Sequence, residues 1–165
     1  MVQRAENRIS LKFKHALRCD LVAETLRVSG GVRLRVFGAS MLPSVWPGDI
    51  LTIRHTVASE VKPGELVLWD HSGGLIVHRV VRNAADGLIT RGDALPACDP
   101  PVMSSHLLGK VTSIQRGRAR FAPKGKLNCP QRLLRFLILR CGEIRTLLLR
   151  LHALRLRLNR TAIQT

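Results

Sequence analysis

The chain has no tyrosine, and four Phe and two Trp are its only aromatic residues among 165. That leaves few rings on which unpaired bases could stack, which disfavours a single-strand nucleic-acid binder. No run of about 18 uncharged apolar residues occurs, so a membrane-spanning helix is not expected. The N-terminal stretch MVQRAENRISLKFKHALR carries charges where a secretory leader has its apolar segment, and the expected location is the cytoplasm. The four cysteines, Cys19, Cys98, Cys129 and Cys141, form no C-x-x-C pair and have no His at zinc-finger spacing. Free thiols are therefore expected, with no metal site and no cofactor.

Acidic residues are the other scarcity, and they are missing from one region. The formal net charge is +16, yet residues 30–109 hold seven Lys/Arg against seven Asp/Glu. Residues 110–165 hold fourteen against the single Glu143. A neutral middle and a basic end pose separate questions, one of chemistry and one of attachment. With 45% hydrophobic and 23% charged residues the composition is globular, and the length fits one domain with appendages.

Periodicity divides the chain. Residues 10–29 read as a helix with Ser10 as N-cap, Phe13, Leu17 and Leu21 at i, i+4 and i+8, Val22 and Leu26 beside them, and Gly30-Gly31 as the stop. From Arg33 the pattern changes to strand-length runs: RLRVF, DILTI, ELVLW, LIVHRVV, GLIT and GKVTSI. Turn residues punctuate them, and DHSGG and AADG read as hairpin connections. The expected fold is mostly β: a small antiparallel domain over 32–115, preceded by an amphipathic helix within 1–31. A basic linker over 116–130 and an Arg/Leu-rich helical tail over 131–165 follow, with Gly142 as a break in the tail. In the tail Leu147, Leu151, Leu154 and Leu158 share a seam, while arginines recur every five residues from Arg135 to Arg160 and so encircle the axis.

The segment GASMLPSVWPGD, Gly38 to Asp49, is the most specific in the chain. Gly38 and Ala39 allow close backbone approach to a substrate, and Pro43 keeps the residues after Ser40 out of a regular strand. Ser40 and Met41 then stand on a loop that can present a hydroxyl and a backbone N–H outward. A serine hydroxyl needs a neighbouring base. His78 in LIVHRVV shares a strand face with Ile76 and Val80, a position more often filled by a core histidine unless a serine stands opposite. In TRGDALPACDPPV, Asp93 reads as a turn residue and Asp99 as the better carboxylate to orient a His ring. His55, His71 and His106 fall near strand ends and turns, Trp46 and Trp69 read as core anchors, and Cys98 as a packing residue.

Taken in order, GASMLPSVWPGD, GELVLWD, LIVHRVV, TRGDALPACD and LLGKV resemble the signal peptidase I superfamily across about residues 33–114. That superfamily includes membrane signal peptidases and LexA-like self-cleaving repressors. Many members use a Ser–Lys pair, whereas the SipW and endoplasmic-reticulum types carry His in an H-R-V string, which His78-Arg79-Val80 resembles. The resemblance implies a serine endopeptidase with Ser40 as nucleophile, His78 as general base and Asp99, ahead of Asp93, as the acidic partner. Gly38 stands where many membrane signal peptidases have a serine, which leaves the Ser40 N–H as the identifiable oxyanion donor. The implied partner is an extended peptide or protein substrate, with signal-peptide processing as the family's usual task.

Two alternatives belong to other classes. One is a LexA-like regulator or nucleic-acid-binding protein. It has little support, because a single N-terminal helix is too short for a helix-turn-helix and specific nucleic-acid binding is not expected. The other is a catalytically idle binding module. For that module residues 116–160 are the candidate contact for an acidic partner or an anionic membrane surface.

Overall fold

The computed structural model describes residues 17–71 and 74–161, with side chains described through residue 155. Two compact units divide the chain, residues 1–127 and residues 128–165.

The first unit opens with helix α1, described over 17–29; the expected start at Ser10 and the contact of Phe13 lie outside the described residues. Gly30, at φ 68°, ends the helix in the left-handed conformation that glycine tolerates best. The buried face is the expected one only in part. Leu17 and Leu21 are exposed, whereas Cys19 and Leu26 are buried and Val22 packs on the core. The spacing i, i+3, i+7 is equally helical, so the sequence pattern alone could not choose between two adjacent apolar faces.

Seven antiparallel strands follow: β1 (Gly31–Arg35), β2 (Ile50–Arg54), β3 (Leu66–His71), β4 (Gly74–Ala84), β5 (Gly87–Arg91), β6 (Leu107–Arg116) and β7 (Ala119–Phe121). They form one sheet in the order β1-β2-β6-β3-β4-β5, with β7 paired to β6. The mostly β architecture expected from the sequence is the one observed. Both predicted hairpins connect adjacent strands: His71 pairs with Gly74, and Ala84 with Gly87. Gly87 adopts φ 139°, and a Cβ there would collide with the Val102 carbonyl oxygen.

The expected basic linker is partly structured. Strand β7 pairs with β6 through Ile114–Phe121 and Arg116–Ala119, and the Lys124 carbonyl accepts a hydrogen bond from Arg79. Gly125 lies so near Gly64 that a Cβ on Gly64 would stand 2.6 Å from the Gly125 oxygen. Charge and missing apolar periodicity pointed to a solvated segment, but backbone groups make these contacts, and composition does not report them.

Strand β3 explains the uninterrupted apolar run LVLW. Leu66 and Leu68 enter a core cluster with Leu26, Met41, Val45, Leu51, Ile53, Val111 and Ile114. Val67 and Trp69, on the other face, enter a second with Val61, Val80, Leu88, Val102 and Leu107. A strand buried on both faces has no polar side to alternate with. Trp69 is thus a core anchor, while Trp46 is half-buried and donates its indole N–H to the Pro43 carbonyl at 2.9 Å.

The second unit contains α2 (Cys129–Arg140) and α3 (Gly142–Thr161). Asn128 caps α2 reciprocally with Gln131: its side chain accepts from the Gln131 N–H at 3.0 Å, and Gln131 Oε1 accepts from the Asn128 N–H at 3.1 Å. The break expected at Gly142 falls at Cys141. The Leu158 and Arg160 side chains lie outside the described residues. No described helix is long and apolar enough to cross a membrane.

Candidate active site

Ser40 stands on the loop between β1 and β2. The loop is closed at its base by Val36 N–H donating to the Asp49 carbonyl at 2.9 Å and Gly48 N–H to that of Val36 at 2.8 Å. Inside it, Val45 N–H reaches the Met41 carbonyl at 3.0 Å, and Met41, Leu42 and Val45 are buried. The Leu42–Pro43 peptide is cis. The Asp49 carboxylate, 2% exposed, accepts from Trp46 N–H at 2.8 Å and from Arg116 at 2.7 Å. The apolar side chains of GASMLPSVWPGD therefore root the loop in the core and leave Ser40 at its surface.

His78 lies in β4 opposite Val67 of β3. Its Nε2 is 3.1 Å from Ser40 Oγ and its Nδ1 is 2.6 Å from Asp99 Oδ2. The same Asp99 oxygen accepts from the Thr90 hydroxyl at 2.6 Å, and Asp99 N–H donates to the Thr90 carbonyl at 2.8 Å. An ionised Asp99 carboxylate can only accept, which favours the tautomer with the proton on Nδ1 and leaves Nε2 to accept one from Ser40. The His78 side chain is only 5% exposed.

The second aspartate serves elsewhere. Asp93 forms a two-pronged ion pair with Arg79, Nε to Oδ1 and Nη2 to Oδ2, both at 2.8 Å, and accepts a short hydrogen bond from Ser44 Oγ. Arg79 Nη1 also donates to the carbonyls of Gly64 and Lys124, each at 2.7 Å. Strand alternation puts His78 and Arg79 on opposite faces of β4, so one strand holds the Ser40 loop through Ser44 and meets its hydroxyl through His78. Ala94 N–H, beside Asp93, donates to the Ser40 carbonyl at 2.8 Å.

Thr90, Arg79, Ser44 and Gly92 were not identified from the sequence. Gly92 is packed so closely that a Cβ would stand 2.7 Å from the Ser40 carbonyl oxygen and 3.0 Å from His78 Nε2. The G-D of TRGDALPACD was the available signal, since a glycine beside a candidate acid marks a possible close approach.

A cleft of about 840 Å³ opens beside Ser40 and His78. Val22 of α1, Val36, Met41, Leu75, Val77 and Leu95 supply apolar wall, and among the described residues no Asp or Glu lines it. Of the predicted loop residues, Gly38, Ser40 and Met41 line the cleft; Ala39 and Pro43 do not. Among the described residues nothing lies within 4 Å of where a Gly38 Cβ would sit. Cys19 also lines the cleft, and burial, aided by the negative charge and hydrogen bond of Asp70, pushes its thiol up to about 11. It is a poor nucleophile there. Cys98 is exposed, which corrects its reading as a packing residue, and all four cysteines are free. His55, His71 and His106 are exposed. Among the described residues no group of His, Cys, Asp and Glu could hold a metal ion.

An antiparallel β unit with a Ser–His–Asp hydrogen-bonded chain at the mouth of an apolar cleft has the parts of a serine hydrolase site. Residues 11–90 match the model of the Peptidase S24-like family, and over that span the chain is similar to serine peptidases and LexA-like proteins. The matched span includes Ser40 and His78 and ends before Asp93 and Asp99. A comparison with curated proteins found no match.

Proposed function

We propose that the protein is a serine endopeptidase in which Ser40 is the nucleophile, His78 the general base and Asp99 the residue that fixes the ring. The observation that carries this reading is the unbroken chain Ser40 Oγ, His78 Nε2, His78 Nδ1, Asp99 Oδ2. His78 takes the hydroxyl proton as Ser40 Oγ attacks the scissile carbonyl carbon. The imidazolium formed is stabilised by Asp99 and returns the proton to the leaving amine. Water then attacks the acyl-enzyme with His78 again as base, releasing the acid product and restoring Ser40. The Ser40 N–H is the candidate donor to the oxyanion.

Asp93, the secondary acidic candidate, is assigned to holding the loops, because both of its oxygens are committed to Arg79. The use of His where many relatives use Lys supports a likeness to the SipW and endoplasmic-reticulum signal peptidases. The substrate is an extended peptide with apolar side chains beside the scissile bond. The cleft approaches the upper end of the range of about 300–1,000 Å³ seen in ligand pockets, room for several side chains rather than one.

Fluorophosphonate labelling tests the site without a known substrate. Wild-type protein is expected to be modified at Ser40, and His78→Ala protein to react far more slowly. Folded wild-type protein that leaves Ser40 unmodified would refute the assignment. If unmodified protein still bound apolar peptides, the idle-module alternative would take its place.

A further inference from the structure

The second unit has a surface that the peptidase reading does not use. Residues 128–165 hold eight arginines, no lysine and one acidic side chain, Glu143. The same short unit exposes Leu133, Phe136, Leu137 and Leu139 on α2 and Leu147, Leu151 and Leu154 on α3. Water-facing apolar residues at this density mark an interaction surface.

On α3 the three leucines fall at i, i+4 and i+7 and form one stripe. At about 100° per residue, Arg150 and Arg155 stand about 70° to either side of it. On α2 the Arg140 guanidinium lies over the Phe136 ring at 5.6 Å. Arginines flanking an apolar stripe can place their stems along it and keep their charge at a polar boundary. The encircling spacing of the arginines does not prevent this, because the leucine stripe falls between two of them.

Charge decides among the occupants. A second copy of this unit would bring another eight arginines against the first, with one Glu143 each to offset them. Nucleic acid would satisfy the arginines but leave leucines and phenylalanine in contact with water or phosphate. A surface that is anionic above and hydrocarbon below satisfies both halves of the pattern. We infer that α2 and α3 form a membrane-surface module that lies on anionic lipid, with Leu147, Leu151 and Leu154 entering the acyl boundary and Arg150 and Arg155 at the headgroups. This inference is independent of the peptidase reading.

The test is co-sedimentation of the full chain with phosphatidylcholine vesicles with and without phosphatidylglycerol, using Ser40→Ala protein so that proteolysis plays no part. Binding is expected only with the anionic lipid, and to weaken as salt is raised. Arg150→Gln with Arg155→Gln should reduce it by about 25-fold, at about fivefold per charge. Leu147→Gln, Leu151→Gln and Leu154→Gln together should reduce it by more than about tenfold. Circular dichroism reports whether the leucine variant keeps its helices; if it does not, the arginine variant decides. Failure to sediment with anionic vesicles overturns the inference. So does sedimentation insensitive to the leucine changes in a helical variant, or capture by duplex DNA that displaces the protein from the vesicles.

Discussion

Gly92→Ala adds one methyl group under the proposed catalytic pair, and its effect follows from three distances. The new Cβ would stand 2.7 Å from the Ser40 carbonyl oxygen, 3.0 Å from His78 Nε2 and 3.0 Å from Leu95 Cδ1, where ordinary contact begins near 3.4 Å. The Ser40 carbonyl would have to retreat by about 0.7 Å and the ring by about 0.4 Å. Neither is free to do so at no cost. Ala94 N–H holds the carbonyl at 2.8 Å, and Asp99 holds the ring at 2.6 Å. The Ser40–His78 distance, 3.1 Å at rest, is the contact that must absorb the shift. Misplacement of reacting groups by about 1 Å can cost on the order of a hundredfold in rate, so displacements of this size predict a loss of about 10- to 100-fold. The assay is the rate of fluorophosphonate labelling of Ser40, read beside the thermal midpoint. A substrate bound mainly in the cleft should keep its KM, so peptide turnover should fall in kcat. Labelling at the wild-type rate in a stably folded variant would refute the packing argument.

Asp99→Asn keeps the size of the side chain but removes the charge that stabilises the imidazolium and sets its tautomer; labelling and peptide cleavage should fall by on the order of a thousandfold or more, and a loss below tenfold would contradict the role. Arg79→Ala leaves the Asp93 carboxylate, 6% exposed, without its ion pair and removes a donor from the Gly64 and Lys124 carbonyls. Breaking a buried pair in this way costs about 3–5 kcal/mol, measurable by urea unfolding, and a change below about 1 kcal/mol would count against it. For Cys19, a thiol raised from 9.0 to about 11 has about a hundredfold less thiolate at pH 8 than an ordinary one. Native protein should alkylate slowly there, and denaturation should abolish the protection. The sign follows from the raised folded-state value: the neutral thiol favours the native state fully below pH 9, and that contribution is lost as pH rises towards 11.

Much of the fold was legible because strand runs and turn residues report locally. The turns AADG and DHSGG pointed to the β4–β5 and β3–β4 hairpins, and the doubly buried β3 appears as four consecutive apolar residues. The buried face of α1 was legible only in part: Val22 and Leu26 were in the expected set, but Leu17 and Leu21 fit helical spacing as well as Cys19 does. Strand β7 was hidden in a basic segment because its pairing to β6 uses backbone groups. Within the site, Ser40, His78 and Asp99 were identifiable as residue types suited to one chemistry, and the structure brings those three together. Thr90 and Arg79 were missed for a physical reason. Each acts through a carboxylate remote in sequence, and no local pattern links Thr90 to Asp99 or Arg79 to Ser44.

The central claim is that this site hydrolyses peptide bonds through Ser40, and the direct measurement is a comparison of new protein N-termini in a proteome-derived peptide mixture treated with wild-type or Ser40→Ala protein. The account predicts termini that appear only with wild type and whose flanking sequences are rich in apolar residues, matching the cleft. The same termini generated equally by both proteins, or none by either while both remain folded, would contradict it.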